Sequence, residues 1–299
     1  MAVLTCTATV SCGGGSGAQK SDEIKEIAVT IEPLRYFAEK IAGNDYRFFS
    51  VVPPGQGPET YDPTPREMVR VGKAVAFMHI GRLPIEKAIA TAMRQNNSEI
   101  TIADVSEQFD NQFVDCHAHA ENLSNLSNPS TACDKHHNDP HIWTSLTGAR
   151  IIADNFYKTF SALNASRKDF YHSNYQSFIK ELDALSDTIH ALMDTLSCRS
   201  FVIYHPALTY LAKEFDFRQL SIEDDGKEPS PASMKQLIEH SREAGVRVVF
   251  VQKEFDAKYA EQIAISTGAK LISINTLDYQ WYNEILFIVK NLTKNGQTD

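Results

Sequence analysis

The sequence predicts an α/β protein of two lobes, each with a parallel β-sheet flanked by helices, joined by a long α-helix. Three observations lead there. Short runs rich in β-branched and aromatic residues alternate with helical segments over residues 24–105 and again over 200–292. Between these blocks the pattern stays helical from Leu146 to Leu196, with one short break at 164–168. Polar residues with ligand chemistry recur just after the strands, where open α/β sheets bind their ligands.

Each element has a local reason. Ile24 to Ile31 reads as a first strand. Glu32-Pro33-Leu34 turns it into a helix with Leu34, Phe37, Ala38 and Ile41 on one face, stopped at Gly43-Asn44. Phe48 to Val52 is a second strand, ended by Pro53-Pro54-Gly55. Pro65 to Val71 starts a helix, and Ala74–His79 and Ile100–Val105 are further strands. Phe178, Leu182, Leu185, Ile189, Leu192 and Leu196 recur every three or four residues and predict a long helix over 170–196. Strands follow at 200–204, 219–222, 246–251 and 270–274. Helices at 207–215, 233–244 and 258–267 separate them, and Trp281 to Leu292 closes the chain as a helix.

Composition narrows the function. At 299 residues, 42% hydrophobic and 22% charged, the chain is long enough for one large core or two modest ones. A net charge of -9 argues against nucleic acid and anionic membrane surfaces and suits a cationic partner. Ala2 to Val10 is mildly apolar, and Ser11-Cys12 and then Gly13-Gly14-Gly15-Ser16-Gly17 follow. That order resembles a bacterial lipoprotein signal cut before Cys12, and predicts a periplasmic or cell-surface protein that meets the membrane only through a lipid on Cys12.

Histidines supply the strongest chemical signal. Five of the ten lie between His117 and His141. His117, His119, His136 and His137 sit among Asn, Ser, Thr and Ala with no apolar period, and read as a solvated loop of metal-scavenging side chains. His141 follows Pro140 and precedes Ile142 and Trp143, so it should be packed and fixed. Cys116 and Cys133 bracket the loop. They can form a disulfide in an oxidising compartment, stay free or act as soft ligands. Cys198 reads as a buried small apolar residue. Glu59 lies in the segment after the second strand and His205 directly after the strand at 200–204; Asn275 and Asp278 follow the last strand. Two histidines, a carboxylate and a fourth oxygen donor complete a four-coordinate zinc site.

Five ordered motifs carry a family resemblance over residues 24–294. They are Pro58-x-Thr60-Tyr61-Asp62-Pro63-Thr64-Pro65, Asp139-Pro140-His141-Ile142-Trp143, Tyr204-His205-Pro206-Ala207-Leu208-x-Tyr210-Leu211, Glu228-Pro229-Ser230-Pro231-Ala232 and Leu277-x5-Asn283. The chain resembles the solute-binding receptors of bacterial zinc and manganese ABC importers. The resemblance implies a long rigid helix between two lobes, a metal ion held between them, and delivery to a membrane permease by a monomer. His141 and His205 match family ligands. Glu59 stands where the family usually has His, and Asn275 where many members have an Asp ligand. The fourth ligand is then Asn275, Asp278, water or a loop histidine. The loop favours Zn2+ over Mn2+. The expected division is 1–22 anchor and tether, 23–168 first metal-binding lobe with its histidine-rich loop at 116–138, 169–197 bridging helix, and 198–299 second metal-binding lobe. A zinc-dependent hydrolase with Glu59 as general base is the alternative from another class. An adhesin role would coexist with metal binding and leaves no signature of its own.

Overall fold

The computed structural model describes residues 24–110, 139–194, 196–223 and 226–296. Cys12, Cys116, Cys133 and the loop histidines 117, 119, 136 and 137 lie outside them.

The first half contains β1 (Glu26–Val29), α1 (Glu32–Ala42), β2 (Arg47–Ser50), α2 (Pro65–Val71), β3 (Ala76–His79), α3 (Pro84–Asn96) and β4 (Thr101–Asp104). A 3-10 turn (Ile142–Thr144) leads into α4 (Leu146–Leu163), and α5 (Lys168–Met193) follows. The second half contains β5 (Ser200–Ile203), α6 (Thr209–Glu214), β6 (Arg218–Ser221), α7 (Pro231–Glu243), β7 (Val248–Gln252), α8 (Lys258–Thr267), β8 (Lys270–Ile274) and α9 (Trp281–Gly296). The alternation read from the sequence is present, with element ends moved by a few residues, and α3, between β3 and β4, is a helix that the sequence reading left out.

Both sheets are four-stranded and wholly parallel, in the orders β2-β1-β3-β4 and β6-β5-β7-β8. Parallel strands need crossover helices, which cover both faces. That is why β7, Val248 to Gln252, is buried at every position and reads from Val248 to Val251 as an apolar run instead of an alternation. In each sheet the chain reverses its direction of travel beside the first strand, between β1 and β3 and between β5 and β7. Such switch points open a crevice at the carboxyl ends of the strands.

Helix α5 runs 26 residues, about 39 Å at 1.5 Å per residue. Tyr171, Phe178, Leu182, Leu185, Ile189 and Met193 form its buried stripe. It packs against α1 and α4 of the first half and α9 of the second. The break before it holds: Asn164 caps α4, and a 3-10 turn covers Ala165–Arg167. One apolar cluster continues through both halves, from Phe77 in β3 to Phe250 in β7, and a second, smaller one lies within the second half around Val202, Val249 and Ile263. Cys198 departs from expectation. It is only half-buried, and its Sγ reaches the carbonyl of Gly245 at 3.1 Å, so it acts as a weak donor and not as core filling.

Leu185 is fully buried on α5. Leu185→Ala should cost about 2–5 kcal/mol, the usual range for a core leucine. Urea unfolding checks this, and a loss under about 1 kcal/mol would mean that the bridging helix is not packed through this stripe.

Candidate metal centre

Three side chains from distant parts of the chain converge at the carboxyl ends of the strands. One ligand atom each from Glu59, His141 and His205 lie within 4.8 Å of one another, the only such group of three or more His, Cys, Asp or Glu side chains among the described residues. They line a cleft of about 300 Å³ with Thr60, Trp143, Glu223, Gln252, Glu254 and Phe255 among its walls. That volume lies at the small end for ligand sites and suits an ion with a few waters.

His141 is held from several sides. Its backbone N–H and its Nδ1 both meet Asp139 Oδ1, at 2.9 and 2.8 Å. The Asp139 carbonyl accepts from Tyr210 Oη at 3.0 Å and from Arg82. Thr144 Oγ1 donates to the carbonyls of His141 and Ala207. Ser145 then caps α4 by accepting from Gly148 N–H, and Glu214 accepts from the N–H groups of Leu146 and Thr147. Gly148 is required here, since a Cβ would stand 1.8 Å from the Ile142 carbonyl oxygen. Together these contacts leave His141 buried, with Nε2 turned toward the cleft.

His205 follows β5 and is fixed in the same manner. Gln252 accepts from its N–H and donates to its carbonyl, Phe255 stacks on its ring, and Nδ1 sits 3.2 Å from Glu223 Oε2. Its Nε2 lies 3.3 Å from His141 Nε2 and 3.6 Å from Glu59 Oε1. Each imidazole thus has a carboxylate on Nδ1 and offers Nε2 to the cleft. That pairing sets ring orientation and raises ligand basicity, and it is the usual arrangement behind metal-bound histidine.

The charges fit a cation. Burial pulls the His205 pKa down, but hydrogen bonds to Glu223 and Glu59 outweigh it and raise the value to about 9. Glu59 is lowered, chiefly by its hydrogen bond to His205, against partial burial. Burial raises Asp139, yet its bonds to His141 prevail and hold it below the usual carboxylate range. Without metal, a proton on His205 Nε2 therefore sits where three electron-rich atoms converge, and it occupies the position that a cation would take.

Asn275 and Asp278 do not line this cleft. Asn275 Nδ2 donates to Asp278 Oδ2 at 3.0 Å, Asn275 Oδ1 accepts from Leu277 N–H, and Asp278 Oδ1 accepts from Gln280 N–H. Both shape the turn into α9, while the intervening Thr276 and Leu277 face the cleft. The sequence reading passed over Asp139, Glu223, Gln252 and Glu254. Glu223 and Glu254 follow β6 and β7 at strand carboxyl ends, the signal that drew attention to His205, so they were accessible to the same argument. Burial raises the Glu254 pKa, offset in part by its own N–H and by the two histidines.

Two lobes, a bridging helix and a convergent imidazole–carboxylate cluster between sheet ends define a solute-binding receptor for a metal cation. The family description for the periplasmic zinc-uptake complex component A matches residues 27–286, and the chain belongs to that family. The high-affinity zinc uptake system protein ZnuA of Bacillus subtilis (strain 168) is 24% identical over 277 residues, covering 90% of this chain and 84% of its own. The manganese ABC transporter substrate-binding lipoprotein PsaA of Streptococcus anginosus is 23% identical over 280 residues, covering 89% and 84%. A crystal structure of ZnuA superposes with a TM-score of 0.79 at 27% identity, over 92% of this chain and 100% of that one. Members of this family are binding receptors and not enzymes, which sets the hydrolase alternative aside. The ligand is a transition metal; relatives named for zinc and for manganese both occur.

The raised His205 value has a checkable consequence. Its folded pKa, about 9, exceeds the unfolded value of about 6.5. The charged ring therefore stabilises the metal-free protein fully below about 6.5, and that contribution is lost as pH rises through 9. Histidine NMR on metal-free protein should show this ring titrating near 9, with stability declining over the same window. A midpoint near 6.5 would contradict the Glu223–His205–Glu59 chain.

Proposed function

We propose that this chain captures Zn2+ outside the cytoplasmic membrane through Glu59, His141 and His205 and delivers it to the permease of an ABC importer. The convergence of two Nε2 atoms and one carboxylate oxygen, each imidazole backed by its own carboxylate, carries this reading. Two imidazoles favour zinc, whereas manganese prefers sets richer in oxygen. The zinc-named relatives and a solved ZnuA with residues 138–173 deleted and zinc bound support the same ion. The ion displaces the proton from His205, so affinity rises with pH until that proton is gone.

The chain works as a monomer tethered by a lipid on Cys12, as the lipoprotein-like order of residues 2–17 suggests. No helix among the described residues is long and apolar enough to cross a membrane. The histidines at 117, 119, 136 and 137 collect and buffer metal beside the tight site. The 23–168 and 198–299 lobes are the two walls of the site, and the 169–197 helix keeps their relative motion small.

His141→Ala and His205→Ala should each weaken zinc binding at least tenfold, about 1.4 kcal/mol or more. Deleting residues 117–137 should lower the number of bound zinc ions while leaving the tightest constant in place. Chelator competition and native mass spectrometry measure both. Wild-type affinity in the two alanine variants would refute the site, and loss of the tight constant on deletion would place a loop histidine in it.

A further inference from the structure

Metal capture needs His141 Nε2 aimed into the cleft, and that aim depends on what holds the other nitrogen of the ring. Nδ1 rests on Asp139 Oδ1 at 2.8 Å, and the same oxygen accepts from the His141 N–H. Asp139 can steer the ring only if its own backbone is fixed. Its carbonyl takes one donor from each half of the molecule. Tyr210 Oη, on α6 of the second half, donates to it at 3.0 Å, and Arg82 Nη1, between β3 and α3 of the first half, donates to it at 3.4 Å. The same guanidinium donates through Nη2 to Asp110 Oδ1 at 2.6 Å and lies over the Phe109 ring, 5.6 Å from its centroid. Phe109 in turn meets the Tyr210 ring edge to face, with centroids 4.8 Å apart. Phe109 and Tyr210 are buried, and the Arg82 side chain is only 12% accessible. Burial raises the Tyr210 pKa well above its ordinary value, so the phenol stays protonated and remains a donor.

We propose that Arg82 and Tyr210 are positioning residues for metal capture: by gripping the Asp139 carbonyl from both halves, they set the Asp139 carboxylate and, through it, the His141 ring. The proposal rests on the Glu59, His141 and His205 reading and deepens it. A planar guanidinium suits the task, because its fixed fork of N–H groups spans acceptors on two separate segments, which a lysine ammonium does not do in one geometry. A carbonyl held by two partly buried donors cannot turn away without leaving both of them unpaired, which is costly. His205 is held differently: Glu223, Gln252 and Phe255, which fix it, all belong to the second half. Disturbing the grip on Asp139 should therefore reach one imidazole and spare the other.

The test is a mutant cycle in the full chain: Arg82→Ala combined with Tyr210→Phe, Asp139→Ala, and all three together, beside His141→Ala. Zn2+ affinity is measured by chelator competition, and the imidazole N–H protons of the zinc-loaded protein are followed by NMR. The Arg82→Ala, Tyr210→Phe variant should bind Zn2+ about tenfold more weakly, the low end of what the outer partners of a metal ligand contribute. Its His141 Nδ1–H signal should shift or broaden while that of His205 stays in place. In the Asp139→Ala background the same two changes should cost nothing further, because the carboxylate they act through is gone. Tyr210→Phe alone removes one hydroxyl and keeps the ring against Phe109, so it carries the same test, with a smaller loss and the same signal shift, if the combined variant folds poorly. Wild-type affinity and an unmoved His141 signal in these variants, with His141→Ala defective, overturn the proposal alone. A full additional loss in the Asp139→Ala background also overturns it, since the two residues then act by another route. Wild-type affinity in His141→Ala as well overturns it together with the three-residue reading beneath it.

Discussion

Two indole N–H groups hold the molecule in the arrangement that makes a site possible. Trp143 donates to the Thr276 carbonyl at 2.8 Å, and Trp281 donates to the Trp143 carbonyl at 2.6 Å. Both rings are essentially buried, so each N–H must find a partner inside the protein or be left at a cost. The bonds join the turn after His141 to the end of the second sheet. His141 precedes one of these rings by two residues, and its ring lies 5.1 Å from that of Trp143. The site is thus assembled at a seam that is already closed by hydrogen bonds and apolar burial.

Electrostatics at that seam work by substitution. Glu59, Asp139, Glu223 and Glu254 surround two imidazoles, so the group carries more negative than positive charge in any ordinary protonation state. Carboxylates gathered in a partly dry cleft repel one another unless a cation sits among them. A proton on His205 offsets part of that charge, and a divalent cation would offset more. The same balance makes release feasible. Glu59 is the most exposed of the three convergent groups, with a side chain 40% accessible. It comes from the segment between β2 and α2, where Gly55 and Gly57 flank the approach. Loosening this side chain would move one of the three convergent groups without disturbing the two packed histidines.

Helix α5 constrains how large any motion can be. Its stripe of aromatic and aliphatic residues is buried against helices of both halves, and the core continues across them. Opening the lobes as a hinge would expose that apolar surface to water, at about 25 cal/mol per Å². Rearrangement of side chains and of the Glu59 segment avoids this cost, so local change is the favoured route between loaded and empty states.

The alternation of strands and helices, the bridging helix, and the placement of Glu59, His141 and His205 near strand ends were all legible along the chain. They depend on local period, turn residues and side-chain chemistry, which are properties of neighbours in sequence. The tertiary structure decided what those residues do together. His141 and His205 stand 64 positions apart, yet their Nε2 atoms lie 3.3 Å from each other. Asp139 and Glu223 became ring partners because packing turned Nδ1 toward them, and no local pattern encodes that rotation. Asn275 and Asp278 have ligand chemistry at a strand end, and in this structure they bond each other and backbone N–H groups of the turn into α9. Nothing in the local sequence around Glu254 marks it out. Burial of one oxygen without a partner, a fact that exists only in three dimensions, distinguishes it from the others.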